Sequence, residues 1–217
     1  MERANMRPTS FETKLLVLVL SLVLSTMAIA GLGGGDRTRA EETFAQRLVG
    51  RYERVSPVAA PGGGTAYLRQ TLTVESAPSP DTVTQGLTTE AFFDQALTQR
   101  VLKYDSKGPC KVLRRSSISG GFEVDCTNSS SVLTVFTTDA ALLRGLGLDD
   151  CNLTAGVPKD VSNGCAAPTF LVSACVDQDV FALSDDGKKF FWGDQTQDRC
   201  VRRSTELEPD SLRRVSD

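Results

Sequence analysis

Six cysteines, Cys110, Cys126, Cys151, Cys165, Cys175 and Cys200, all fall in the second half of a 217-residue chain that has no histidine. They contain no C-x-x-C pair, and without imidazole a zinc site would need four widely scattered thiolates. The set therefore reads as a disulfide framework. Disulfides persist in oxidising compartments, and the amino terminus points to the same place. Leu15 to Ala30 reads LLVLVLSLVLSTMAIA, an apolar run behind Lys14 and a polar stretch carrying Arg3 and Arg7. Ala28 and Ala30 supply the small residues that signal peptidase needs, so residues 1–30 read as a secretory signal peptide. The uncharged stretch continues through Gly35, about long enough to span a bilayer, and a signal anchor is the alternative. The expected location is secreted, or a membrane-anchored ectodomain if the segment is retained.

Residues 31–44 are glycine-rich and polar and read as a flexible linker. Residues 45–205 then form one β-rich, disulfide-stabilised domain, followed by a loose tail at 206–217. Period-two alternation marks strands at Leu48–Val55, Ala66–Glu75, Lys111–Ser117, Phe122–Thr127 and Val132–Thr137, with another at Thr169–Cys175. Asp186-Gly187 lies between two apolar runs and predicts a hairpin with a type I′ turn. Phe93, Leu97, Val101 and Tyr104 repeat at helical spacing and predict a helix over Thr89–Lys103. Asp139–Leu146 reads as a short helical turn. About eight strands with one or two short helices make a mainly β, antiparallel barrel or sandwich.

Sequence does not choose the cysteine pairing, but turn positions constrain it. In the register of the Asp186-Gly187 hairpin, Cys175 lies opposite Asp198, two residues from Cys200, and a small bulge would join the two cysteines. Cys151 and Cys165 enclose a loop with few apolar anchors, which a staple would close. Cys110 and Cys126 remain. A regular hairpin turning at Gly120-Gly121 would set Cys126 opposite Arg115, about 17 Å from Cys110 along the strand, so either that hairpin is irregular or one pair is wrong. Asn128-Ser-Ser130 and Asn152-Leu-Thr154 are glycosylation sequons.

The absence of histidine removes Ser-His-Asp and Cys-His catalysis and histidine general bases. Carboxylates cluster at Asp149-Asp150, Asp177-x-Asp179 and Asp185-Asp186. None has the alternating ligands and closing glutamate of a calcium loop, so they read as turn and cap residues, and no metal or other cofactor is expected. A hydrolase built on paired carboxylates stays open as a minor reading, because only spatial separation decides it. The basic pairs Arg114-Arg115, Arg202-Arg203 and Arg213-Arg214 read as solvated surface charge. With a net charge of −3 the chain lacks the basic excess of a nucleic-acid binder.

Leu48-Val49-Gly50-Arg51-Tyr52, opening a strand ahead of a β-rich region, resembles the G-x-W start of lipocalin-like barrels, with tyrosine in place of tryptophan. Arg69, Tyr104, Cys110 and Trp192-Gly193-Asp194 are similar to positions in cysteine-rich extracellular domains of the APCDD type. The resemblance implies a closed sheet around an apolar pocket for a lipid-like ligand. Its lining would include Tyr52, Leu68, Leu72, Phe122, Val124, Phe136 and Trp192. The leading expectation is an exported, non-enzymatic binder of a small lipophilic ligand. The alternative is an extracellular surface or matrix interaction module with a filled core, recognising a protein through loops such as Cys151 to Cys165. Intact-mass analysis of protein secreted from a eukaryotic host is expected to find a chain beginning at Gly31. Retention in the membrane with residues 1–30 intact would make the segment an anchor.

Overall fold

The computed structural model describes residues 43–61, 63–163, 175–195 and 198–215. The amino-terminal apolar run, Cys165 and most of the strand expected at 169–175 lie outside them. Among the described residues there are ten strands: β1 (Gly50–Ala59), β2 (Thr65–Ser76), β3 (Thr82–Phe92), β4 (Arg100–Arg115), β5 (Gly121–Thr127), β6 (Ser130–Val135), β7 (Lys159–Asp160), β8 (Val176–Leu183), β9 (Lys189–Trp192) and β10 (Leu212–Val215). Two short helices accompany them, α1 (Phe44–Leu48) and α2 (Ala140–Gly145). Every ladder is antiparallel, and the circuit β1-β2-β3-β4-β5-β8-β9-β10 returns to β1. The fold is thus a closed eight-stranded barrel rather than a sandwich.

In chain order the barrel is a meander interrupted once. Between its fifth and sixth strands the chain makes an excursion, β6-α2-β7, that adds to β4 outside the circuit. Strand β4 can serve both neighbours because it is 16 residues long: Leu102–Lys107 carries β6 and Cys110–Val112 carries β5. Gly108 sits at the fork. A Cβ there would stand 1.7 Å from the Thr127 carbonyl oxygen, so only glycine lets β5 and β6 diverge at this point.

The apolar residues bury in two clusters. Alternate residues such as Tyr52, Leu72, Val74, Val124, Phe181 and Leu212 turn inward and are buried together with Phe44 and Leu48 of α1. A second cluster, including Leu102, Tyr104, Leu133, Val135 and Leu148, lies under the excursion. The N-cap of α1 is a capping box, in which the Thr43 hydroxyl accepts from the Gln46 N–H and the Gln46 side chain accepts from the Thr43 N–H. Thr43 and the buried Phe44 therefore belong to the domain, not to a linker ending at residue 44.

Three other expectations are corrected. Thr89–Lys103 is not a helix: Thr82–Phe92 and Arg100–Arg115 are strands, and the apolar residues that mimic a helical period straddle the turn between them. The turn is built by the Asp94 carboxylate, which accepts from the N–H groups of Thr98 and Gln99, and Leu97 takes a left-handed φ of 57°. Residues 206–217 are not a loose tail, since Leu212–Val215 pairs with β1 and β9 and Leu212 is fully buried. Arg213 and Arg214, the two middle residues of Leu212–Val215, hide its apolar content from a window average. The Asp186-Gly187 hairpin forms in the expected register, Leu183 opposite Phe190, but only Gly187 has a positive φ, at 69°. Asp186 stays out of that region while its carboxylate accepts from Ser184 and Lys188, so the turn is not type I′.

The difficult cysteine pair resolves through register. Cys110 faces Cys126 directly, with Cα atoms 4.0 Å apart, because the hairpin turns two residues earlier than Gly120-Gly121 and shifts between Val112 and Arg115. Cys175 and Cys200 are also joined, with Cα atoms 5.7 Å apart. Cys151 is buried and disulfide-bonded, and its expected partner Cys165 lies outside the described residues. Substituting Gly108→Ala is expected to destabilise the domain by about 3 kcal/mol or more, since a backbone carbonyl must move. Chemical denaturation of the purified domain would measure it, and an unchanged midpoint would mean the fork has slack.

Candidate functional site

Of the seven residues expected to line a pocket, Tyr52, Leu72, Val124 and Trp192 belong to the buried barrel cluster, and Phe122 packs against it. Their rings touch each other and their neighbours. The Phe190 centroid is 5.4 Å from Tyr52, 5.0 Å from Phe181 and 5.7 Å from Trp192, and Phe44 stacks on Phe122 at 3.9 Å. These are the separations of packed aromatic cores. The Tyr52 hydroxyl donates to the Leu48 carbonyl at 2.9 Å and accepts from Arg214 at 2.7 Å, which ties α1 and β10 together at one end of the barrel. Burial raises the Tyr52 phenol above its ordinary range, against a smaller opposing pull from Arg214. The other two residues lie apart from this cluster. Leu68 is half-buried between Ser56 and Ala91, and Phe136 is exposed beyond β6, with the Arg100 guanidinium 5.2 Å from its ring centre.

The other end is held by residues 193–195 and 198–211, between β9 and β10, here termed the strap. It leaves β9, turns, and comes back beside it: the Asp194 N–H donates to Glu206 and the Glu208 N–H to Trp192. The Trp192 indole donates to the Glu208 carboxylate at 2.7 Å, which also pairs with Arg54 at 2.9 Å, and Arg54 lies 5.2 Å over the indole. Arg199 reaches Asp179 at 2.7 Å and Asp177 at 3.1 Å. Arg203 donates to the carbonyls of Val124 and Asp179, both at 2.6 Å, and to the Asp125 carboxylate at 2.5 Å. Gly193 is required here, because a Cβ would stand 2.4 Å from Ser204 and 2.5 Å from Asp179 Oδ1.

Asp177 and Asp179 are therefore not turn residues but buried members of β8, and Arg203 and Arg214 are not simply solvated charge. Sequence reasoning missed this network because i, i+2 carboxylates on a strand look like those of a turn. Their partners lie some twenty residues away, across a connection that alternation does not describe. Burial raises both carboxyls, Asp177 to about 6, while Arg199 pulls each of them down less strongly. The pair converges, but under the strap, where it is closed to a substrate.

A third feature faces outward. Arg51 and Glu53 flank Tyr52, and Thr71 flanks Leu72, so all three lie on the opposite side of the sheet from the core. With Arg69, Thr88, Glu90 and Lys103 they line a shallow polar depression of about 410 Å³ on β1–β4. Its carboxylates are already engaged. Glu53 pairs with Arg51, and the buried Glu90 pairs with Arg69 at 2.5 Å and Arg100 at 3.0 Å. Thr88 donates to Asp105, which pairs with Lys103 at 2.8 Å.

Of the sequons, Asn152 is exposed at a left-handed φ of 49°, whereas Asn128 is half-buried in the β5–β6 turn, next to Ser129, which donates to the Lys107 carbonyl.

Comparison with known protein families and with curated sequences finds no match. At the level of architecture, the eight-stranded antiparallel barrel is compatible with a lipocalin-like one.

Glu90 is the keystone of the outer face, since two guanidinium groups converge on its buried carboxylate. Glu90→Gln is expected to lower stability by about 2 kcal/mol, because the partly exposed arginines recover some solvation. Urea denaturation would measure this, and a neutral result would show that the pairing contributes nothing.

Proposed function

We propose that the domain is an exported binding module whose interior is a packed core and which recognises an extracellular partner on its outer surface. The observation that carries this reading is the ring-to-ring packing of Tyr52, Phe181, Phe190 and Trp192 within the buried barrel cluster. The disulfides suit the oxidising space into which the amino-terminal segment would deliver the chain. The depression on β1–β4 supplies the recognition face. It presents Arg51, Arg69 and Lys103 beside Glu53, Glu90 and two threonine hydroxyls, a lining suited to a polar, charged partner rather than to a lipid. The exposed loop at residues 152–158, next to the exposed Phe136, extends the accessible surface.

The rival reading keeps a small lipophilic ligand inside the barrel, as in lipocalin-like and APCDD-type domains. The meander order and the closed sheet favour it, and Trp192 and Tyr52 would then be contact residues. It requires the aromatic cluster to open around the ligand, at the expense of contacts the core already makes. Trp192 is the only tryptophan, so its emission separates the two readings. Titration with a panel of fatty acids, retinoids and sterols is expected to give no saturable change. A saturable change, with ligand retained through gel filtration, would overturn the filled-core reading in favour of the cavity.

A further inference from the structure

The strap carries a charge imbalance that the rest of the fold does not require. Asp177 and Asp179 project from β8 onto a single guanidinium, that of Arg199. Asp179 is fully provided for, accepting from the N–H groups of Val180 and Gly193 and from the Gln195 amide as well as from Arg199. Asp177 is not. It is 7% exposed, only its Oδ2 meets Arg199, and its buried Oδ1 has no partner. The second strap cation gives little help. Arg203 is committed to two backbone carbonyls and to the Asp125 carboxylate, and it lies 3.8 Å from Glu123, whose nearer partner is the exposed Arg114 at 3.0 Å. Two buried carboxylates thus share one positive charge, with one oxygen left over. An unpartnered buried carboxylate oxygen is costly, and a proton on Asp177 removes both the excess charge and much of its desolvation.

We propose that the strap is an acid-set latch: one proton taken up by the Asp177–Asp179 pair seats it, and loss of that proton toward neutral pH loosens residues 198–211 and, behind them, the barrel-closing β10. The direction follows from the sign of the shift. Burial holds Asp177 at about 6 in the folded domain, against 3.8 for a free aspartate. Stabilisation from this group is therefore complete below the unfolded value and is lost as pH rises through the folded one. The window lies between about pH 4 and 7, where most carboxylates push stability the other way. The strap carries its own reporter, because Glu208 accepts the indole N–H of Trp192.

Hydrogen exchange of the full domain, with protection factors corrected for intrinsic rates, tests this at roughly pH 5 and pH 7.5. In the wild type, amides of residues 198–211 are expected to be at least about tenfold better protected at the acidic pH, as tenfold per pKa unit predicts. Asp177→Asn mimics the protonated carboxyl in shape and charge. It is expected to abolish the difference and to give wild-type acidic protection at both pH values. Asp186→Asn, in the distant β8–β9 turn, is expected to leave the response unchanged. Glu208→Gln is expected to alter Trp192 emission but keep the pH response in exchange. Equal wild-type protection at the two pH values would overturn the latch, as would an Asp177→Asn variant that keeps the difference or a Glu208→Gln variant that loses it.

Discussion

Barrel closure rests on one short strand, and most of the unusual chemistry in this protein serves it. Strand β10 is four residues long, yet it pairs with β1 on one side and β9 on the other. Without it the sheet would have two free edges and the aromatic core would face water. A closed sheet abolishes edges altogether, which is the main advantage of a barrel over an open sheet. Four residues cannot hold that position by backbone hydrogen bonds alone. Leu212 contributes a buried side chain, and Arg214 reaches across to Tyr52 and to the carbonyls of Arg47 and Val49. One end of the closing strand is thus tied to α1, and the strap fixes the other.

The strap's ion pairs are better understood as positioning devices than as stabilisers. Desolvating two charges offsets most of what their attraction returns, so buried pairs add little net stability while strongly penalising misplacement. Arg203 illustrates the point, since its guanidinium satisfies backbone carbonyls on β5 and β8 at once. Only one placement of the strap does that. The adjacent Cys175–Cys200 disulfide reduces the freedom of the unfolded chain around the same segment. Covalent and ionic restraints therefore act on one connection, the one that delivers β10.

How much of this was legible from sequence depends on the range of the interactions involved. Strands such as Ala66–Glu75 could be read because alternation is local and their inward face is uniformly apolar. The Asp186-Gly187 register could be read because a tight turn fixes it. The hairpin of β3 and β4 could not, since Phe93, Leu97, Val101 and Tyr104 happen to fall at helical spacing across a turn held by Asp94. β10 escaped because two arginines sit in its four residues and its burial comes from distant neighbours. At the candidate sites the pattern is similar. Tyr52, Leu72, Val124 and Trp192 share one buried cluster, whereas Leu68 and Phe136 lie outside it, a difference set by position around the barrel that no local period carries. The pairing of Asp177 and Asp179 with Arg199 depends on how the strap folds back, which no periodicity encodes.

The position of the second disulfide has a kinetic consequence. Cys175 borders β8 and Cys200 lies within the strap, so the strap is leashed at its midpoint to the sheet it covers. Released from its ionic contacts, it remains within a few residues' reach of them. Reclosure is then a unimolecular search over a small volume, fast and independent of protein concentration, and the freed β10 has little opportunity to be captured by the open sheet of a neighbouring molecule. The leash turns an event that could lead to strand exchange between copies into a reversible breathing motion of one chain.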